Sequence, residues 1–105
     1  MIKQNLTKEK IIEAIRESRA QLLSLGVRSM GLFGSFVRGE ARDESDVDLL
    51  VDFEEGKKNF DNFIDTCFLL EEQLGRKIEL VTRESLSPYI EPYILKEVEY
   101  VSLAN

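Results

Sequence analysis

Histidine is absent from this chain and cysteine occurs once, at Cys67. That shortage argues against a zinc-type site of nitrogen and sulfur ligands, and a lone cysteine cannot close an internal disulfide. No His or basic cluster adjoins Cys67 in sequence, so it is expected to serve as a small core hydrophobe rather than a nucleophile. The sequence shows neither an N-terminal apolar segment of signal-peptide type nor an apolar run near the length of a membrane span. A cytoplasmic location is the expectation that follows. Basic residues are in deficit, 14 against 20 acidic, and the net charge of −6 disfavours general affinity for nucleic acid backbones or anionic membranes. A partner with a basic surface suits it better. Repeats, low-complexity tracts and interdomain linkers are also missing. A single domain over residues 1–105 is therefore expected, long enough to bury roughly 60 to 70% of its unfolded surface in one modest core.

What is present concentrates between residues 30 and 53. An apolar run, Met30 to Phe33, meets Gly34-Ser35, and a basic, turn-rich segment then leads to Asp46-Val47-Asp48-Leu49-Leu50-Val51-Asp52-Phe53. Read as a strand, the last segment puts Asp46 and Asp48 on one face and Val47, Leu49, Val51 and Phe53 on the other. Two carboxylates spaced about 6.5 to 7 Å along a strand repel each other unless a cation lies between. Mg²⁺ suits that place, taking one or two carboxylates and filling its other positions with water and phosphate oxygens. A glycine at position 34 allows close backbone approach to a ligand. If Ser35 caps a short helix over Phe36 to Arg38, backbone N–H groups and the helix dipole offer an anion seat, with Arg38 and Arg42 adding charge. A phosphate cradle beside paired carboxylates is what nucleotidyl or phosphoryl transfer needs. The plainer alternative is a turn followed by solvated strand residues.

Hydrophobic periodicity places the remaining elements. Thr7 to Leu25 reads as one helix, capped by Thr7, ended by Gly26, with Ile11, Ile12, Ile15, Leu22 and Leu23 on its apolar side. Val27 to Phe33 reads as a strand whose Gly31 marks a close neighbour. A second helix spans Phe60 to Leu74, with Phe60, Phe63, Ile64, Cys67, Phe68, Leu70 and Leu74 as its apolar stripe and Gly75 as its stop. Lys77 to Thr82 alternates as a further strand. If Ile78 and Leu80 join Val47, Leu49 and Val51 in the core, Glu79 emerges on the same side as Asp46 and Asp48. A last helix begins near Pro88 or Pro92, and its Tyr89 and Tyr93 suit either the core or an interface. Residues Tyr100 to Asn105 form a short strand or fray.

Gly34-Ser35, ten residues, then Asp46-Val47-Asp48 resembles the signature of the DNA polymerase β-like nucleotidyltransferase superfamily. Within it, the short chain and the form GLFGSFVRGEARDESDVDLLVDF resemble the minimal nucleotidyltransferase (MNT) proteins, from about Arg28 to the C-terminal helix. The resemblance implies an α/β fold, a small mixed β-sheet flanked by helices. It also implies Asp46, Asp48 and Glu79 as catalytic residues and ligands of two Mg²⁺ ions, with Gly34, Ser35 and Arg38 binding the nucleotide. The family's third acid is often Asp, so Glu79 departs by one methylene; its implied role is to hold the metal or to accept the proton of the attacking hydroxyl.

Transfer of AMP from ATP to a hydroxyl is the leading expectation. MNT proteins are commonly paired as antitoxins with HEPN-domain proteins, which implies AMPylation of a tyrosine on a HEPN ribonuclease toxin and either a hetero-oligomer with it or a homo-oligomer. The alternative is a non-catalytic antitoxin that neutralises a basic partner by contact, served equally by the −6 charge and the C-terminal aromatics. A transferase for a small molecule is a third option, which the short chain disfavours.

Overall fold

The structure, a computed structural model, describes residues 6–103. Thr7 opens the first helix, α1 (Lys8–Glu17), by accepting a hydrogen bond from the Lys10 N–H at its hydroxyl, 3.2 Å. Ile11 and Ile15 are wholly buried along it. The single helix expected over Thr7 to Leu25 is broken at Ser18, and a second helix, α2, runs Arg19–Ser24. Ser18 has φ −93° and ψ 8°, is buried, and its carbonyl receives the Leu22 N–H at 2.9 Å. Serine is a weak helix former, and the bend lets Leu22 reach the core while leaving Leu23 half exposed, a correction to the expected apolar face.

Four strands form one sheet in the order β3-β2-β1-β4: β1 Val27–Phe33, β2 Val47–Phe53, β3 Ile78–Thr82 and β4 Glu99–Val101. β1 runs antiparallel to β2 and to β4, while β2 and β3 are parallel. A parallel pair needs a long crossover, and α4 (Phe60–Leu74) supplies it. This helix has the expected bounds: Asn59 caps it by accepting from the Asn62 N–H at 2.8 Å, and Gly75, left-handed at φ 61°, ends it. The mixed sheet flanked by helices is the fold class expected from the sequence.

One face of the sheet meets α1, α2 and α4. Met30, Leu32, Val47, Leu49, Val51, Ile78 and Leu80 pack there with Ile11, Ile15, Leu22 and Leu70. Phe60 and Phe68, expected in the α4 stripe, are instead 76% and 62% exposed, because Thr66 and Leu70 point most directly at the sheet. Cys67 is half-buried and packs against the core; burial pushes its thiol up, which suits a packing residue.

The other face carries Phe33 opposite Asp48 and Gly31 opposite Leu50. The neighbours that Gly31 accommodates are side chains: a Cβ there would stand 2.5 Å from Val98 Cγ2. A 3-10 turn, Arg83–Ser85, and a turn at 88–90 lead to α5 (Glu91–Glu97), with Pro92 in its first turn. Tyr89 and Tyr93 are 85% and 75% exposed, so the core reading of these aromatics is overturned. Of the expected tail strand, Tyr100 and Val101 lie in β4, and residues 104–105 fall outside the described part.

Candidate nucleotide site

Strand register assembles the acidic group. Asp48, near the start of β2, pairs with Phe33 on β1 and with Glu79 on β3. In a parallel pair, residues in register share a face, so Glu79 emerges beside Asp48, close enough for its charge to act on the Asp48 carboxyl. Asp46 lies one residue before β2 begins and close enough to act on Asp48 electrostatically. The Arg76 guanidinium fixes the residue before it, donating to the Ser45 carbonyl at 2.9 Å while lying 5.8 Å above the Phe36 ring. Val47 N–H donates to the Lys77 carbonyl at 3.0 Å and closes the junction of β2 and β3.

Burial pushes the Asp48 carboxyl up to about 6. The neighbouring Glu79 side chain and then the charge of Asp46 act in the same direction, and Arg38 opposes them. Negative charge is thus crowded at one spot, which is the electrostatic setting a divalent cation relieves. The donor set is all carboxylate oxygen, which suits Mg²⁺. Among the described residues no three acidic, Cys or His side chains already surround a common point; Mg²⁺ asks for less than a full protein cage, because water and phosphate oxygens complete its shell. On donor chemistry and charge, the residues fit the ion.

The expected phosphate seat adjoins this group. β1 ends at Phe33, and Gly34 turns the chain with φ 82° and ψ −151° into α3 (Ser35–Arg38). Gly34 itself occupies the capping position, and Ser35 is the first helical residue with no capping bond, which corrects the expectation that Ser35 caps the helix. The reason is conformational: the left-handed φ comes at the glycine, so helical geometry begins immediately after it. A Cβ at position 34 would collide with Asp48, standing 2.9 Å from its Cγ. Arg38, at the end of α3, borders a crevice of about 260 Å³ together with Phe33, Gly34, Asp48, Tyr93, Ile94 and Glu97. Arg42 does not join it. That residue lines a separate crevice with Phe36 and Arg76, its own N–H donating to Ser45 Oγ at 2.7 Å.

Two residues that the sequence reading passed over stand in this neighbourhood. Arg76 anchors the approach to Asp46, and no motif marks it. Glu97 of α5 accepts the Gly34 N–H at 2.7 Å and faces Arg38 Nη1 at 3.1 Å from each carboxylate oxygen. Its separation in sequence from the Gly-Ser step hides that contact. A larger open hollow, about 700 Å³, lies further along the sheet around Arg28, Asp52 and Tyr100; its charged pair, Arg28 and Asp52, is satisfied internally.

The four-stranded mixed sheet thus brings together a glycine turn pressed on an aspartate and a glutamate in register beside that aspartate. The family model described as the nucleotidyltransferase domain matches residues 10–101, and the chain belongs to that family. It is similar to the protein adenylyltransferase MntA of Thermococcus cleftensis, 44% identical over 97 residues, spanning 91% of this chain and 97% of that protein. A minimal nucleotidyltransferase of known structure superposes with a TM-score of 0.70 at 33% identity, covering 92% of this chain and 98% of the other. A toxin–antitoxin structure with AMP-PNP shares the fold, with a TM-score of 0.65 at 21% identity over 92% of this chain and 73% of that one. The protein is accordingly a nucleotidyltransferase of the minimal kind.

Proposed function

We propose that this nucleotidyltransferase moves AMP from ATP to a hydroxyl on a partner protein, a tyrosine of a HEPN ribonuclease toxin, and thereby acts as an antitoxin. The observation that carries the reading is the register of Asp48 with Glu79, next to a glycine turn that leaves room for nothing larger than hydrogen at position 34. The relative named protein adenylyltransferase supports the acceptor class, and the toxin–antitoxin structure with AMP-PNP shares the fold.

In this reading Gly34, Ser35 and Arg38 hold the phosphates, with the Gly34 N–H and the Arg38 guanidinium donating to phosphate oxygens. Asp46, Asp48 and Glu79 would hold Mg²⁺, two ions in the full site, which supply Lewis-acid stabilisation of charge on the phosphoryl oxygens. The acceptor oxygen forms a bond to the α-phosphorus as the bond from that phosphorus to the bridging oxygen breaks, and pyrophosphate leaves. Glu79 is exposed at the rim of the group, where its carboxylate can take the proton that the acceptor hydroxyl gives up. The open crevice excludes little water, so a protein acceptor completes the enclosure.

Incubating the chain with Mg²⁺, labelled ATP and a HEPN protein should add one AMP to a tyrosine of that protein. Asp46→Asn and Asp48→Asn should each abolish transfer while leaving the two proteins bound. Undiminished transfer in both variants refutes the reading.

A second reading keeps the partner and drops the chemistry. Tyr89, Ile90 and Tyr93 are exposed together at and before α5, as in a contact surface, and a binding-only antitoxin would use them. It predicts that Asp48→Asn still neutralises the partner in full.

A further inference from the structure

We propose that Glu97 is a resident competitor for the phosphate seat, so that nucleotide enters only when the C-terminal end of α5 lets go. The inference rests on the assignment of Gly34 and Arg38 to the triphosphate. Glu97 sits 24% exposed, with one oxygen 2.7 Å from the Gly34 amide and both oxygens 3.1 Å from Arg38 Nη1. A carboxylate engaging a backbone N–H and a guanidinium presents the same acceptor chemistry as a phosphate. The Gly34 amide has one hydrogen, and it cannot serve Glu97 and a phosphate oxygen in full at once.

Electrostatics makes the two occupants exclusive. Arg38 already meets a second carboxylate, donating from Nε to Glu40 at 2.9 Å, and Asp48 borders the same crevice. A triphosphate arriving with Glu97 still in place would add its charge to that gathering on the same donors. Displacing Glu97 removes one anion as another arrives.

The helix that bears Glu97 is built to yield. No residue of α5 is buried, and Tyr93 on it is 75% exposed. The helix's apolar hold is limited to the partly covered Ile94 and Leu95, and Glu97 with Gly34 and Arg38 is its direct polar tie to the site. Apparent affinity for nucleotide is then the intrinsic affinity multiplied by the fraction of molecules in which the seat is open.

The test compares the full chain with Glu97→Gln and Glu97→Ala, titrating ATP, inorganic tripolyphosphate and adenosine by calorimetry. If the closed form holds nine molecules in ten, both variants bind ATP and tripolyphosphate about tenfold more tightly than the parent, and adenosine binding does not change. In the parent, ATP should speed hydrogen exchange at the α5 amides. Equal or weaker ATP binding by both variants, with the parent binding normally, refutes the competitor and leaves the seat intact. Unchanged or slower exchange in α5 on ATP binding refutes it as well. Failure of all three proteins to bind ATP or tripolyphosphate removes the seat itself, and the competitor with it.

Discussion

Gly34 and Asp48 are matched by exclusion: the space a side chain would need at the turn is filled by the Asp48 carboxylate, whose Cγ would lie 2.9 Å from a Cβ built on Gly34. The turn therefore gives Asp48 one wall of its position, and Asp48 dictates glycine at the turn.

Gly34→Ala should be damaging on two counts, a left-handed φ of 82° and the collision with Asp48. Urea unfolding should show a loss of about 1–3 kcal/mol, and labelled-ATP assays should show transfer falling far more than that loss explains. A variant with parental stability and transfer would mean that the turn relaxes freely.

Asp48→Asn should abolish transfer yet stabilise the chain at pH 7 in the absence of divalent ions. The folded-state carboxyl is raised from 3.8 to about 6, so the folded protein binds the proton more tightly than the unfolded one. That contribution favours folding fully below the unfolded value and is lost as pH rises through about 6. Allowing for solvent screening at this half-exposed group, the parent should trail the variant by about 1 kcal/mol at pH 7. The difference should shrink toward pH 4, as read from urea midpoints at both pH values. A variant less stable than the parent at pH 7 contradicts the assignment.

Arg76→Ala should lower turnover without touching any carboxylate. It removes the donor to the Ser45 carbonyl and the cation over Phe36, loosening the residue next to Asp46. About 1 kcal/mol of stability should go with the hydrogen bond. Arg76→Lys, which keeps the charge and loses the planar fork, should recover only part of the turnover.

Leu70→Ala should cost about 2–5 kcal/mol, since Leu70 is wholly buried where α4 crosses the sheet. Enough folded protein at low temperature should still transfer AMP, because Leu70 lies on the face opposite Asp48. A thermal midpoint unchanged from the parent would deny α4 its place in the core.

Sequence pattern located what depends on neighbours a few residues apart. Pleat parity put Glu79 on the side of Asp48, and the register confirms that placement because a parallel pair preserves parity. The bounds of α4 were readable from its apolar stripe and from Gly75, whose stop is local chemistry, while the Asn59 cap emerged only with the structure. The break at Ser18 was not, since the periodicity of Ile11, Ile15 and Leu22 continues through it and only the packing of α2 on the sheet demands a bend. Phe60 and Phe68 misled because hydrophobicity marks a face without saying whether anything covers it. Glu97 was invisible for a different reason. Its partners, Gly34 and Arg38, lie some sixty residues upstream, and an acid near the end of a short helix has no pattern that names them.

The strand order also sorts the site by stiffness. Asp48 and the turn at Gly34 are carried by β2 and β1, each bonded to a neighbour on both sides, whereas α5 leads into a peripheral strand of three residues. Swinging that helix aside disturbs almost none of the sheet's ladder, so a molecule this small can admit a bulky guest while the groups that must stay still remain clamped.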